Sequence, residues 1–317
     1  MSNGATPSCR SVRQLNRRSL ACWLLLPVGC GLGSDTGSTD ASPEQGARVW
    51  DVGDFPSAVL QVGPAVLIAH ASDNGAHSGA APSGWIGRYG PDGNLLDTFA
   101  AALYDPTGLA SEGDVLHVSH SSGVTSFSYA GGDVVGRLEN VERQGSFRAL
   151  CNAPEETVFV ADQIGGRVVR ADPRVGHRSA VAIAELPHVT GLAFDADVGR
   201  LYISTADPSV APGRLWVLDA DETTPAPFGD VRADFSALVL RGETLYASVR
   251  NTLTNDGTAT AEAVLAIRAD GALAEPLPHT EDLVNVGQVE VVGGDLLFVP
   301  EPHSGRVVIT RLPTQEQ

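Results

Sequence analysis

Short apolar runs separated by polar or glycine-containing turns recur along the chain from about residue 47 onward. Residues 147–172, FRALCNAPEETVFVADQIGGRVVRAD, show the unit: an apolar strand, a polar turn, a second strand (TVFVAD), a Gly-Gly connection and a third strand (RVVRAD). The first strand recurs as PSAVLQ (56–61), PTGLAS (106–111), FRALCN (147–152), VTGLAF (189–194), FSALVL (235–240) and VGQVEV (286–291). Its third position is Ala58, Gly108, Ala149, Gly191, Ala237 and Gln288, in steps of 50, 41, 42, 46 and 51 residues. Second strands follow at 66–70, 116–120, 158–162, 201–205, 245–249 and 297–301, and third strands begin at Gly84, Gly123, Gly166, Gly213, Glu262 and Gly305. Three columns in phase six times, with several strands per period, predict a propeller. The second strands are apolar at nearly every position rather than alternating, as expected of strands covered on both faces.

A fourth, outer strand fits NLLDTFA (94–100), DVVGRLE (133–139) and AVAIAEL (180–186), but the sixth repeat has only TQEQ left after Leu312-Pro313. The unassigned ARVWDVG (47–53) has strand character. It is predicted to pair with 307–311 and cover an edge that would otherwise stand open. The expected fold is therefore all-β: a six-bladed β-propeller of four-stranded blades over 47–313, closed by an N-terminal strand, with a tail at 314–317.

P-x-G-L-A opening a blade and VFVAD…GGRVVRAD across its middle resemble the six-bladed propellers of the NHL-repeat and SMP-30/gluconolactonase type. The resemblance covers roughly 47–313. It implies the architecture, and for the lactonase branch it implies calcium at the channel mouth, held by carboxylates and asparagines at the starts of first strands. Calcium takes such hard oxygen ligands. The matching column here is Ser57, Thr107, Arg148, Thr190, Ser236 and Gly287, with no carboxylate or amide. The expectation is no cofactor. Calcium enters only under the alternative reading, through the nearby Asp105, Asp234 and Asn285.

Composition changes the picture at the N-terminus. Arg10, Arg13, Arg17 and Arg18 precede the apolar run LACWLLLPVG, which is too short for the ~20 residues of a membrane span. The run ends at Cys30. This resembles a bacterial lipoprotein signal, with Pro27 where a leucine is usual. Residues 1–29 are read as signal peptide, Cys30 as the lipid attachment site, and 30–46 as a tether too polar to pack. The expected address is the bacterial cell envelope, facing the periplasm, on the outer membrane because Gly31 rather than aspartate follows the cysteine.

Of the four cysteines, Cys9 and Cys22 leave with the signal, Cys30 takes lipid and Cys151 stays alone, so no structural disulfide is expected. All 21 basic residues are arginine. Loss of the four in the leader leaves 17 against 38 acidic residues, taking the formal charge from −17 to −21. An acidic protein of this kind repels nucleic acid and anionic lipid, leaving the lipid anchor as the membrane contact.

Two sets of residues carry candidate chemistry. One is the mouth column: Ser57, Thr107, Thr190 and Ser236 supply hydroxyls, and Arg148 a positive charge suited to an anionic group. The other is the end of the second strands, with His70, His120, Asp162 and Glu301 on four consecutive blades. These are metal-ligand types, but propeller geometry spaces neighbours on the order of 12 Å apart, too far for one ion. Turn capping is the competing role. Asp195-x-Asp197-x-Gly199 is read as a hairpin turn rather than half a calcium loop. Long second-to-third-strand loops at 71–83, 206–212 and 250–261 are expected on the mouth face, where recognition is usual.

Two functions follow. One is a monomeric, non-catalytic, lipid-anchored propeller binding an envelope protein or a small-molecule ligand on its loop-bearing face. The other is a metal-dependent lactonase or hydrolase with a displaced site.

Overall fold

The computed structural model describes residues 47–71, 82–139, 146–176, 180–206, 213–219, 222–253, 259–260, 263–268, 270–278, 280, 283 and 286–313. The leader, Cys30, the tether, most of the three expected loops, Asn285 and the tail lie outside them.

In chain order, β1 (Arg48–Asp51) precedes repeat 1, built of β2 (Pro56–Val62), β3 (Ala65–His70), β4 (Gly84–Tyr89) and β5 (Leu95–Leu103). Repeat 2 holds β6 (Gly108–Glu112), β7 (Val115–His120), β8 (Gly123–Ser128) and β9 (Val134–Glu139). Repeat 3 holds β10 (Phe147–Ala153), β11 (Thr157–Asp162), β12 (Arg167–Ala171) and β13 (Val181–Glu185). Repeats 4 and 5 run through β14 (Val189–Asp195), β15 (Arg200–Thr205), β16 (Arg214–Asp219), β17 (Ala226–Arg241), β18 (Thr244–Leu253), β19 (Ala259–Thr260), β20 (Ala263–Arg268) and β21 (Leu273–Pro276). Repeat 6 holds β22 (Glu290–Val292), β23 (Leu296–Glu301) and β24 (Arg306–Arg311). Every paired strand is antiparallel to its neighbour, and the chain forms a β-propeller. Among the described residues no helix is long and apolar enough to cross a membrane.

The second strands explain the architecture. β3 is buried at all six positions, and β7, β11, β15 and β23 at all but the first. Such a strand cannot face water on either side. Each repeat therefore presses one face on the repeat before it and one on the repeat after, giving six apolar clusters rather than one core. Leu60 and Leu67 meet Leu109 and Leu116; Ala110 and Val124 meet Leu150 and Val158; Phe159 and Ala161 meet Leu192 and Ile203. Tyr202 and Leu215 meet Phe235 and Leu245, and Tyr246 and Val264 meet Leu297 and Val299. The sixth cluster joins Phe298 and Val307 of repeat 6 to Val59, Ile68 and Tyr89 of repeat 1, closing the ring.

Closure uses the strand expected for it. β1 pairs with β24 in the register Arg48↔Ile309, Val49↔Val308, Trp50↔Val307, Asp51↔Arg306. Trp50 is buried in the sixth cluster, edge-on to Phe298 at 5.0 Å between ring centroids. The turn at Gly93 leaves room for it, since a Cβ there would stand 2.6 Å from the indole.

Three expectations need correction. The strands make five sheets rather than six separate ones, because β17 pairs with β16 through Ala226–Arg232 and with β18 through Ala233–Arg241. One continuous strand thus serves as the outer strand of repeat 4 and the inner strand of repeat 5. The expected loop 250–261 is partly strand, with Thr252↔Thr260 and Leu253↔Ala259 extending a hairpin. The first strand of repeat 6 shrinks to Glu290–Val292, with Gln288 held instead by an isolated parallel bridge to Ala58.

Truncating Trp50 to alanine is expected to cost ~3–5 kcal/mol, the range for a buried aromatic. Deleting 47–53 is expected to lower the melting temperature further. Chemical denaturation of both variants checks this; unchanged midpoints would show that the ring does not depend on β1.

Candidate functional site

The inner strands of all six repeats begin at one end of the ring. Ser57, Thr107, Arg148, Thr190, Ser236 and Gly287, one from each repeat at or just before its inner strand, line a single cavity of about 410 Å³. Phe55, Asp105, Gln163, Asp234, Gln288 and His303 complete its polar and aromatic wall, with Leu192, Phe235 and Val286 among the aliphatic and aromatic groups. Phe55 and Asp105 enter their strands in the left-handed region, at φ +47° and +51°. Non-glycine residues rarely adopt that conformation, and it recurs at ligand sites.

The hydroxyls of the column are less free than the sequence reading supposed. Ser57 Oγ donates to the carbonyl of Pro106 at 2.5 Å, and Thr107 Oγ1 to that of Phe147 at 3.0 Å, so each stitches its repeat to the next. Ser236 Oγ donates to the Ser248 carbonyl at 3.3 Å, and Thr190 Oγ1 lies 3.1 Å from Ser204 Oγ. A hydroxyl has one proton to give. The lone pairs of these hydroxyls remain to accept hydrogen bonds, beside the donors of Arg148 and Gln163 in the same wall.

Gln288 also lines the cavity. Its carboxamide grips the Leu109 backbone from both sides: Nε2 donates to Leu109 O at 2.9 Å, and Oε1 accepts from Leu109 N–H at 3.1 Å. This links repeat 6 directly to repeat 2. In the sequence Gln288 is the lone large residue in a column of alanine and glycine, a signal from which its role could have been found.

Arg148 sits in the wall with its Nε–H donated to Gln163 Oε1 at 3.0 Å. Asp105 and Asp234 reach the same wall from repeats 2 and 5. The sequence reading held both in reserve as displaced acidic groups, and the structure brings them together with the hydroxyl column. No group of three or more His, Cys, Asp or Glu side chains suited to a metal occurs among the described residues.

His70, His120, Asp162 and Glu301, at the second-strand ends, are not among the residues lining the cavity. Each is buried and held within its own surroundings. Asp162 accepts from Gly165 N–H at 2.9 Å and from Arg167 Nε at 3.1 Å. Glu301 accepts from Arg306 at 2.6 Å and from Ser304 Oγ at 3.2 Å. His120 lies 2.8 Å from Thr125 Oγ1 and 2.9 Å from Ser122 Oγ. In all three the main partner is five residues on, the span of a tight second-to-third-strand hairpin. His70 stacks on Trp85 at 3.9 Å, donates Nδ1–H to the Asp54 carbonyl at 2.6 Å and meets Tyr89 Oη at 2.8 Å. That ties the segment after β1 to repeat 1.

Cys151 packs against the cluster between repeats 3 and 4, where burial pushes its thiol up and away from reactivity. Glu290, on the inner strand of repeat 6, is pushed up to about 8 by burial.

These groups set a pH dependence. Burial lowers His70, His117 and His120 to about 4 each. Below about pH 6.5 the unfolded chain takes up protons that the folded ring refuses until pH falls to about 4. Stability is therefore lost on acidification across that window, by up to ~3 kcal/mol per histidine. Glu290 acts oppositely: its raised value favours the folded state at low pH and loses that contribution as pH rises through about 8. Urea midpoints are expected to drop steeply from pH 7 to 4.5, and His120→Gln should flatten that slope. A midpoint unaffected by pH would contradict the burial of the three rings.

No family model matches the chain, and no curated protein matches it. Among solved structures it superposes on a gluconolactonase, XC5397 from Xanthomonas campestris (18% identity, TM-score 0.61, covering 84% of this chain and 90% of that one). It also superposes on regucalcin, a calcium-binding protein from Agrobacterium tumefaciens (12%, 0.61, 83% and 92%), and on a chain of a nidogen/laminin complex (15%, 0.60, 73% and 88%). At these identities the likeness establishes the β-propeller fold, which proteins of three different descriptions share.

Proposed function

We propose that this chain is a lipid-anchored envelope propeller that captures a small ligand in its mouth cavity and performs no chemistry on it. The observation that carries the reading is the cavity itself. One residue from each of the six repeats meets around a space of about 410 Å³, within the range of small-molecule sites, with apolar walls and a few converging polar groups. Outside Asp105, Asp234 and His303 the catalytic vocabulary of the described residues is thin: Cys151 is half-buried with its thiol pKa raised, the histidines of the second strands are committed inside the repeats, and Ser57, Thr107 and Ser236 give their protons to backbone carbonyls. The anchor is carried by the leader pattern ending at Cys30.

A second reading is a metal-dependent lactonase or related hydrolase. It is favoured by Asp105 and Asp234 in one wall, and by neighbours in fold that include a gluconolactonase and a calcium-binding protein. The two readings separate in a calorimeter. Calcium titrated into the protein is expected to give no tight binding, and a panel of aldonolactones no calcium-dependent hydrolysis. A micromolar calcium site, abolished together with lactone turnover by Asp105→Asn, would replace the first reading by the second.

For the anchor, Cys30→Ser is expected to abolish palmitate labelling and move the protein to the soluble fraction. A variant that still sediments with membranes would remove lipidation from the account.

A further inference from the structure

We propose that the cavity selects ligands whose polar end is a hydrogen-bond-donating cation, a primary ammonium group on a compact apolar body. This rests on reading the cavity as a ligand site and adds the chemistry of its occupant.

The first ground is the direction of hydrogen bonding. Ser57, Thr107 and Ser236 give their protons to backbone carbonyls, so toward the cavity they offer lone pairs. These three acceptors are satisfied by a donor, and an ammonium group brings three. The second ground is charge. Two carboxylates, Asp105 and Asp234, line the cavity with one arginine, Arg148, and with His303. Asp234 is half-buried and has no hydrogen-bond or ion-pair partner among the described residues. An ionised carboxylate in that setting gains most from an incoming cation, because a charge-assisted hydrogen bond offsets its desolvation. The third ground is the remainder of the lining. Phe55, Leu192, Phe235 and Val286 form an apolar surface for the body of the ligand. The long-range field agrees: a chain of formal charge −17 draws cations toward its mouth and repels anions.

The test is calorimetry on the purified full-length protein at pH 7.5 with four probes: 2-phenylethylammonium, 3-phenylpropionate, 2-phenylethanol and calcium chloride. The ammonium probe is expected to bind saturably at one site and to weaken with added salt, while the carboxylate probe does not bind. Asp234→Asn is expected to weaken the amine about tenfold or more, as for loss of a charged hydrogen bond, with melting temperature unchanged. Thr190→Trp, which fills the cavity, should abolish binding. If the alcohol or the carboxylate binds better than the amine and Thr190→Trp removes that binding, the cavity is a ligand site but not a cation site. Amine binding indifferent to Asp234→Asn would likewise overturn the assignment. Calcium binding lost in Asp234→Asn, with no amine binding, would make the wall a metal site instead. If none of the four binds, the ligand reading of the cavity falls along with this one.

Discussion

The second strand of each repeat is buried on both faces, and everything else in the molecule follows from satisfying that burial. A four-stranded sheet of this composition has no stable existence alone, because each face needs a neighbour. Only a closed ring gives every repeat two neighbours, and only if the last repeat finds the first. The cluster around Trp50, Phe298, Ile68 and Tyr89 is that final contact. β1 supplies both the missing outer strand and the indole that fills the seam, so sheet pairing and side-chain packing converge on one short segment at the start of the domain.

Ring closure also makes the site. It brings six inner strands so close around the axis that small residues are needed where they approach. A Cβ at Gly287 would collide with the Ser57 carbonyl, and one at Gly191 would stand 2.9 Å from the Leu238 nitrogen. Two of the mouth hydroxyls, Ser57 and Thr107, hold adjacent repeats together, and Thr190 and Ser236 bond within their own repeats. Their engagement leaves hydroxyl lone pairs beside Asp105, Asp234 and Arg148, so the packing of the ring shapes the chemistry at the mouth.

The ring was legible in the sequence because its signals are local and repeated: in-phase apolar runs, glycine before third strands, and a strand-like segment with no repeat of its own. The fusion of two sheets through β17 was not, although a trace exists, since no glycine or proline interrupts Asp230 to Arg241. The members of the mouth column, one in-phase position per repeat, meet in one cavity. The roles of its hydroxyls were not readable, because Pro106 O and Phe147 O belong to the following repeat, 49 and 40 residues away. The second-strand acids and His120 could have been assigned better. Arg167, Arg306 and Thr125 each stand five residues downstream, which marks a hairpin partner rather than a ligand set.

Native-state hydrogen exchange tests the closed ring most directly, because it reports the opening free energy of each strand separately. If closure by β1 is the condition for the whole, the amides that pair β1 with β24 will exchange only through global unfolding. They will then show the same free energy and denaturant dependence as the amides of β11 and β15. If β1 instead exchanges by local fraying, several kcal/mol below a core that stays protected, the ring holds without its seam and the account is wrong at its base.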